Sequence, residues 1–231
     1  MNNIDGMHYA ELGQNVVVEP NVMLGYKYLG AENPAQIGDH AHIHSGTVIY
    51  ADTRIGSHFT AGHNVIIRAN SILGDRVVIL HGSVLEGNVK IGKGVKIMTQ
   101  VYIPSQTVID DMVFIGPGVN ILNAKLPMRV PGLAGVHIGP HSVIGGGVTI
   151  LPGVSIGTNC FVGAGSVITK DLPDNTLAFG NPAKLKEMPE SLGKINGPAQ
   201  IIQGRDLWNN IPDETWKDED FPGKARWSDC Q

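Results

Sequence analysis

The stretch VKIGKGVKIMTQVYIPSQTVIDDMVFIGPGVNIL, residues 89–122, places isoleucine at 91, 97, 103, 109, 115 and 121. Every step is six residues, which fits neither the 3.6-residue period of a helix nor the 2-residue period of a strand. Counting backward in sixes meets Leu85, Ile79, Leu73, Ile67, Ala61, Ile55, Ile49, Ile43 and Ile37. The count stops after Ile121 and resumes 17 residues later at Ile138, then runs through Ile144, Ile150, Ile156, Val162 and Ile168. Leu12, Val18 and Leu24 keep the same period ahead of an insertion, YKYLGAENPAQ (26–36).

The fourth residue after most of these positions is small or β-branched, as at Thr47, Thr53, Val65, Ser71, Val77, Ser83 and Val95. Two inward positions per six residues suit a very short strand followed by a turn. Glycine recurs at 38, 56, 74 and 92, a spacing of 18, so three hexapeptides make one coil with three flat sides. The glycine marks one repeated corner where positive φ or close approach is needed. The period therefore predicts an all-β fold, a parallel β-helix whose coils stack at strand spacing. The 24 counted positions make eight coils, about 38 Å of solenoid at that spacing. No coil buries its apolar residues alone. Aspartate in place of Ile97 would bury an unpaired charge and prevent folding.

Composition narrows the function. Seventeen Lys and Arg against 21 Asp and Glu give a net charge of −4, with no basic surface for nucleic acid. No apolar run is long enough for a membrane span. The opening MNNIDGMHYAELG lacks the basic flank and apolar segment of a signal peptide. Two cysteines, Cys160 and Cys230, make a disulfide framework improbable and fit a reducing, cytoplasmic location. The solenoid domain is expected over 1–183, with a protruding loop at 122–137. A C-terminal extension, 184–231, is expected to carry a short helix and holds Trp208, Trp216 and Trp227, which would pack on the solenoid or on a neighbouring subunit.

The segment IGPHSVIGGGVTILPGVSIGTNCFVGAGSVITKDLPDNTLAFGNPAK (138–184) is very similar to the acetyl-CoA-binding end of the hexapeptide-repeat acyltransferases. The resemblance covers about residues 12–184. It implies a left-handed β-helix, against the general rule for parallel crossovers, and a homotrimer. GHNVIIRANSILGDRVVI (62–79) and VYIPSQTVIDDMVFIGP (101–117) resemble the branch that acetylates amino groups of nucleotide-linked sugars. The implied reaction is direct acetyl transfer in a ternary complex, with acetyl-CoA as co-substrate, a nucleotide-linked amino-deoxysugar as acceptor, and no metal.

Thioester aminolysis needs a positioned nucleophile, a proton acceptor and donors for the oxyanion. Glycine-rich corners at Gly145, Gly146, Gly163 and Gly165 would let backbone amides approach an extended pantetheine arm; the resemblance places coenzyme A along these coils, near Ala164, Thr169 and Lys170, with Lys170 and Lys184 available to its phosphates. His63 and His81 are 18 apart, so they stand one above the other, with Thr99 continuing the column. His81 is the preferred proton acceptor or relay and His63 the second choice. Gln100 lies where amine-acetylating relatives carry asparagine, in I-M-T-Q-V rather than I-Q-N-N-V; with Asn123 it is expected to position the amine or the thioester carbonyl. Arg68 and Glu86 form another column able to pair across coils, and join Lys125 and Arg129 of the loop as substrate-binding candidates.

The loop LNAKLPMRVPGLAGVH has no histidine before His137. O-acetylating relatives typically place a catalytic histidine there, so the loop favours an amine acceptor, with sugar O-acetylation as the alternative. A γ-type carbonic anhydrase would need a third histidine two coils before His58 and His63; Val22 and Lys27 occupy those positions, so no such zinc site assembles. A non-catalytic scaffold is the remaining class, opposed by the intact cofactor-like end. His40 and His58 are expected to be structural.

Overall fold

The computed structural model describes residues 9–126, 132–189 and 192. Twenty-four short strands, from Ala10–Leu12 to Val167–Ile168, each contain one residue of the six-residue count. They form three parallel sheets, and each strand pairs with the strand three places on. Leu73 pairs with Ile91 and Ile91 with Ile109, the predicted eighteen-residue register. The insertions leave this ladder unbroken. Leu12 pairs with Ile37 across the first, and Ile109 with Ile138 across the second. Eight coils result, as the count requires.

The counted residues fill one continuous core; only Leu12 and Val18, in the terminal first coil, are not buried. The second inward position carries buried valines and hydroxyls. Thr47 Oγ1 donates to Gly62 O at 2.8 Å, Ser83 Oγ to Met98 O at 2.8 Å and Ser142 Oγ to Gly157 O at 2.8 Å. These hydroxyls satisfy corner carbonyls that the ladder leaves open.

At the first corner the repeated glycines are explained by contact rather than by φ. A Cβ on Gly92 would lie 2.6 Å from the Asp111 backbone nitrogen, and one on Gly38 2.7 Å from Gly56 C. Asp39, Asp75 and Asp111 cap this corner, their Oδ1 atoms accepting from the N–H of Gln14, Ser57 and Lys93. The insertion after the first coil is tied down by Asp52, which accepts from Tyr28 Oη–H and from the N–H groups of Glu32 and Asn33.

Two strands follow the eighth coil. Thr176–Phe179 extends the second sheet, and Lys184–Glu187 folds back antiparallel upon it. The first residues of the expected C-terminal extension form a strand, with Leu185 packed against the core end as one side of a hairpin. Apart from Leu192, the rest of the expected short helix lies outside the described residues, as do the three tryptophans and Cys230. Cys160 is buried in the core, as an inward position requires.

Thr53 Oγ1 is buried and has no hydrogen-bond partner among the described residues. Thr53→Val should therefore raise stability by about 1 kcal/mol, whereas Thr47→Val should lower it by about 1–3 kcal/mol; guanidinium midpoints of the two variants test this. Lys96, on the outer side of the second sheet, is buried, and desolvation lowers its pKa from 10.5 to about 8. Below pH 8 the folded and unfolded states both hold this proton. Between about 8 and 10.5 the unfolded state holds more, so stability should rise with pH by at most about 3 kcal/mol. Lys96→Met should remove that slope in unfolding curves collected across the interval.

Candidate active site

Between the second and third sheets the chain turns at a corner whose backbone forms an unbroken ladder. Gly82 N–H donates to His63 O, Gln100 N–H to His81 O, Gly118 N–H to Thr99 O, Gly147 N–H to Pro117 O and Gly165 N–H to Gly146 O, all at 2.8–2.9 Å. One edge of the solenoid therefore carries Ser45, His63, His81, Thr99, Pro117, Gly146 and Ala164 in vertical order. His81 and Ala164 are four rungs apart, about 19 Å at strand spacing.

The histidines stack as the eighteen-residue spacing requires. The His63 and His81 ring centroids lie 5.3 Å apart at an interplanar angle of 14°. Their hydrogen bonds differ. His81 Nδ1 accepts from the backbone N–H of His63 at 2.9 Å. The neutral ring then carries its proton on Nε2 and has no free lone pair. His63 Nδ1 lies 3.0 Å from Ser45 Oγ. When that nitrogen donates to the hydroxyl, Nε2 is left as an open base. The ring with an open nitrogen is thus His63, not His81, the preferred candidate from the sequence.

Gln100 adopts φ 58°, and its Cγ lies over Gly82, beside His81. The other residues at the tip of this turn include Gly118, Gly147 and Gly165, with φ of 67°, 66° and 69° and nothing within 4 Å of an added Cβ. Bare left-handed turns of this kind let an extended ligand lie against the backbone. Gly145 and Gly163 have a different explanation. A Cβ on Gly145 would meet Ala164 N at 2.5 Å, and one on Gly163 would meet the Phe179 side chain at 3.0 Å. They are glycines for coil packing, whereas Gly118 and Gly147, not among the expected site residues, face open space among the described residues.

The remaining candidates sit elsewhere. Arg68 and Glu86 pair at the corner after the third sheet, with the guanidinium 5.9 Å from the Tyr50 ring centroid. Asn123 is at this third corner too, where its Nδ2 donates to Ser105 O and Oγ at 3.1 Å and its carbonyl accepts from Ala134 N–H. It pins the base of the loop and does not join His81 and Gln100 within one chain. Lys125 is exposed just beyond the bridge between Ala124 and Leu133. Arg129 lies outside the described residues. Thr169 and Lys170 are exposed at the third corner of the last coil, while Lys184 faces Phe179 above Gly163. Lysines thus flank both ends of the last rung of the third sheet.

His137 closes the loop and is more than an end marker. Its Nε2 lies 2.8 Å from Asp110 Oδ2, leaving Nδ1 open. His58 stacks on His40, ring centroids 4.9 Å apart, at the first corner. It is thereby separated from His63, and the two do not share a ligand site. Two concavities of about 490 and 460 Å³ also follow the first corner, lined by Asp75, Arg76, Asp111 and Met112 and by Ile72, Lys90 and Val108. Neither touches the histidine ladder. No helix among the described residues is long and apolar enough to cross a membrane.

Comparison with known proteins fits this architecture. Residues 135–170 match the family model described as bacterial transferase hexapeptide (six repeats). Galactoside O-acetyltransferase of Lactococcus lactis is 40% identical over 111 residues, covering 41% of this chain and 53% of that protein. The chain spans about half the length, or less, of the first curated relatives it matches. UDP-N-acetylglucosamine O-acyltransferase of Moraxella catarrhalis superposes with a TM-score of 0.63 at 23% identity, over 82% of this chain and 76% of that one. The corresponding acyltransferase of Bacteroides fragilis gives 0.65 at 17% identity, over 96% and 84%. At these identities the likeness shows the fold, a left-handed parallel β-helix.

Proposed function

We propose that this chain, which carries the hexapeptide repeat of the bacterial transferases, is an acetyl-CoA-dependent acetyltransferase acting on the amino group of a nucleotide-linked amino-deoxysugar. The observation that carries the reading is the second corner. There a histidine ladder in the lower coils and, one residue further along the same corner in the upper coils, a row of bare left-handed glycines share one edge. The pantetheine arm would lie along Gly118, Gly147 and Gly165, with Gly146 and Ala164 beside it. Lys170 and Lys184 would hold phosphates at the top of the solenoid.

In this reading the acceptor amine attacks the thioester carbonyl, and a C–N bond forms as the C–S bond breaks. The ammonium proton passes to Nε2 of His63, and the departing sulfur leaves as thiolate and is protonated from solvent. His81, with Nε2–H exposed to the groove, donates to the oxyanion, and Gln100 helps to orient it. No acyl-enzyme is needed. Buried Cys160, whose thiol pKa is raised by desolvation, is a poor nucleophile.

A second copy would complete the site, and the homotrimer implied by the repeat family is part of the proposal. The outer side of the third sheet supports it. Met23, Val48, Ile66, Val84 and Tyr102 form an apolar column that is only partly covered in the single chain. Contiguous apolar surface of this kind marks an interface. The Arg68–Glu86 pair borders that column. Asn123 and Lys125, on a different corner from the ladder, would reach an acceptor only across such an interface. Lys125 then serves as a contact for substrate phosphate.

A second reading is favoured by the His137–Asp110 pair. A hydroxyl acceptor needs a base, and an imidazole oriented by a carboxylate supplies one. The likeness to a galactoside O-acetyltransferase points the same way. Thiol release from acetyl-CoA, measured with amino-sugar nucleotides against hydroxyl-only sugars, separates the two. For amine transfer, His63→Ala should lower kcat by about 10²-fold or more, His81→Ala should lower it less, and His137→Ala should leave it near wild type. A 10²-fold loss in His137→Ala alone, with turnover of a hydroxyl acceptor, would establish the second reading instead. Absence of thiol release with every acceptor, together with no binding of acetyl-CoA by calorimetry, would remove both and leave a scaffold.

A further inference from the structure

His44 directly follows the strand His42–Ile43 and keeps its alternation, its N–H donating to Ala61 O at 3.0 Å, so the two imidazoles lie on one outer face. Ile43 between them is fully buried in the core. The two rings stack with centroids 4.2 Å apart. On the neighbouring rung, Glu19 donates its N–H to Ile43 O at 3.0 Å, which sets its side chain beside both histidines. Glu19 Oε1 lies 2.7 Å from His44 Nδ1 and 3.6 Å from His42 Nε2. The second carboxylate oxygen accepts from the backbone N–H of Ser45 at 2.9 Å.

We propose that Glu19, His42 and His44 form a binding site for a divalent transition ion of the zinc class. Their three ligand atoms lie within 4.8 Å of one another. Around tetrahedral zinc, with bonds of about 2.0–2.1 Å, ligand atoms are separated by about 3.3 Å. The observed separations bracket that value, so closure onto an ion needs only small side-chain movements. Both imidazoles lie within ion-pair distance of Glu19 Oε1. The second, stacked on the first and turned toward the same oxygen, would add repulsion if both were protonated. A single ion held by two neutral rings and the carboxylate accounts for both.

The donor chemistry selects the ion. Two imidazole nitrogens and one carboxylate oxygen suit zinc, nickel or copper, whereas magnesium and calcium favour oxygen-only shells. The Ser45 N–H bond fixes the carboxylate from behind, the arrangement that orients metal ligands elsewhere. The side chains are 31%, 21% and 25% exposed for Glu19, His42 and His44, so an ion reaches the site from solvent and a fourth position stays open to water. The site lies on the first two coils, about 24 Å, or five rungs, below the glycine turns of the seventh. It sits next to the histidine ladder, with the His44 and His63 ring centroids 5.0 Å apart.

The test is a zinc titration of tag-free, chelator-treated full-length protein by calorimetry, with a cobalt titration followed by visible absorption. The expected result is one zinc per chain with a Kd in the micromolar range or tighter, and the absorption of four-coordinate cobalt. His42→Ala, His44→Ala and the isosteric Glu19→Gln should each weaken zinc binding at least about tenfold, with circular dichroism confirming folding. His40→Ala/His58→Ala should bind as wild type, and magnesium should not bind. Failure of the wild type to take up one equivalent of zinc would overturn the proposal. So would a zinc isotherm that the folded Glu19→Gln and His44→Ala variants leave unchanged.

Discussion

Everything in this molecule depends on one constraint: each short strand must lie over the strand three places earlier, eighteen residues back wherever no insertion intervenes. A two-residue strand has too few hydrogen bonds and too little buried surface to persist alone. It exists because the rung above and the rung below bury its single large side chain. The core residues follow, from Leu24 through Ile97 to Ile168, as does the close contact that excludes a Cβ at Gly38, Gly56, Gly74 and Gly92. The first coil, which among the described residues has a coil on one side only, is where this cover fails and Leu12 stands 47% exposed.

The same register turns sequence spacing into chemistry. A residue type repeated every eighteen positions becomes a row along one edge. The second corner uses this twice, for imidazoles in the lower coils and for bare glycine turns in the upper ones. The outer side of the third sheet uses it for an apolar column. Among the described residues of a single chain these rows are open ledges rather than an enclosed cavity.

Much of this could be read before any coordinates. The stacking of His63 on His81 and the pairing of Arg68 with Glu86 follow from spacing alone, as does the burial of Cys160. What could not be read has a common physical origin. Glu19 and His44 are 25 residues apart, and Asp110 and His137 are 27 apart. Each pair straddles an insertion, so counting in eighteens passes over it even though the ladder re-forms in register on the far side. The glycines fail for another reason. Composition cannot tell a glycine required by packing, such as Gly145, from one that leaves open space, such as Gly147. Only the distance from an added Cβ to its neighbours separates them. The strand Lys184–Glu187 was hidden because its partner is antiparallel and lies outside the six-residue period.

The most direct test of the functional account is a crystal structure of the protein with coenzyme A bound. The pantetheine arm should run along the turns at Gly165, Gly147 and Gly118, with its sulfur directed toward the His63–His81 edge. Density for the cofactor along the first corner, beside Arg76 and Met112, would contradict the assignment of the second corner as the site of acyl transfer.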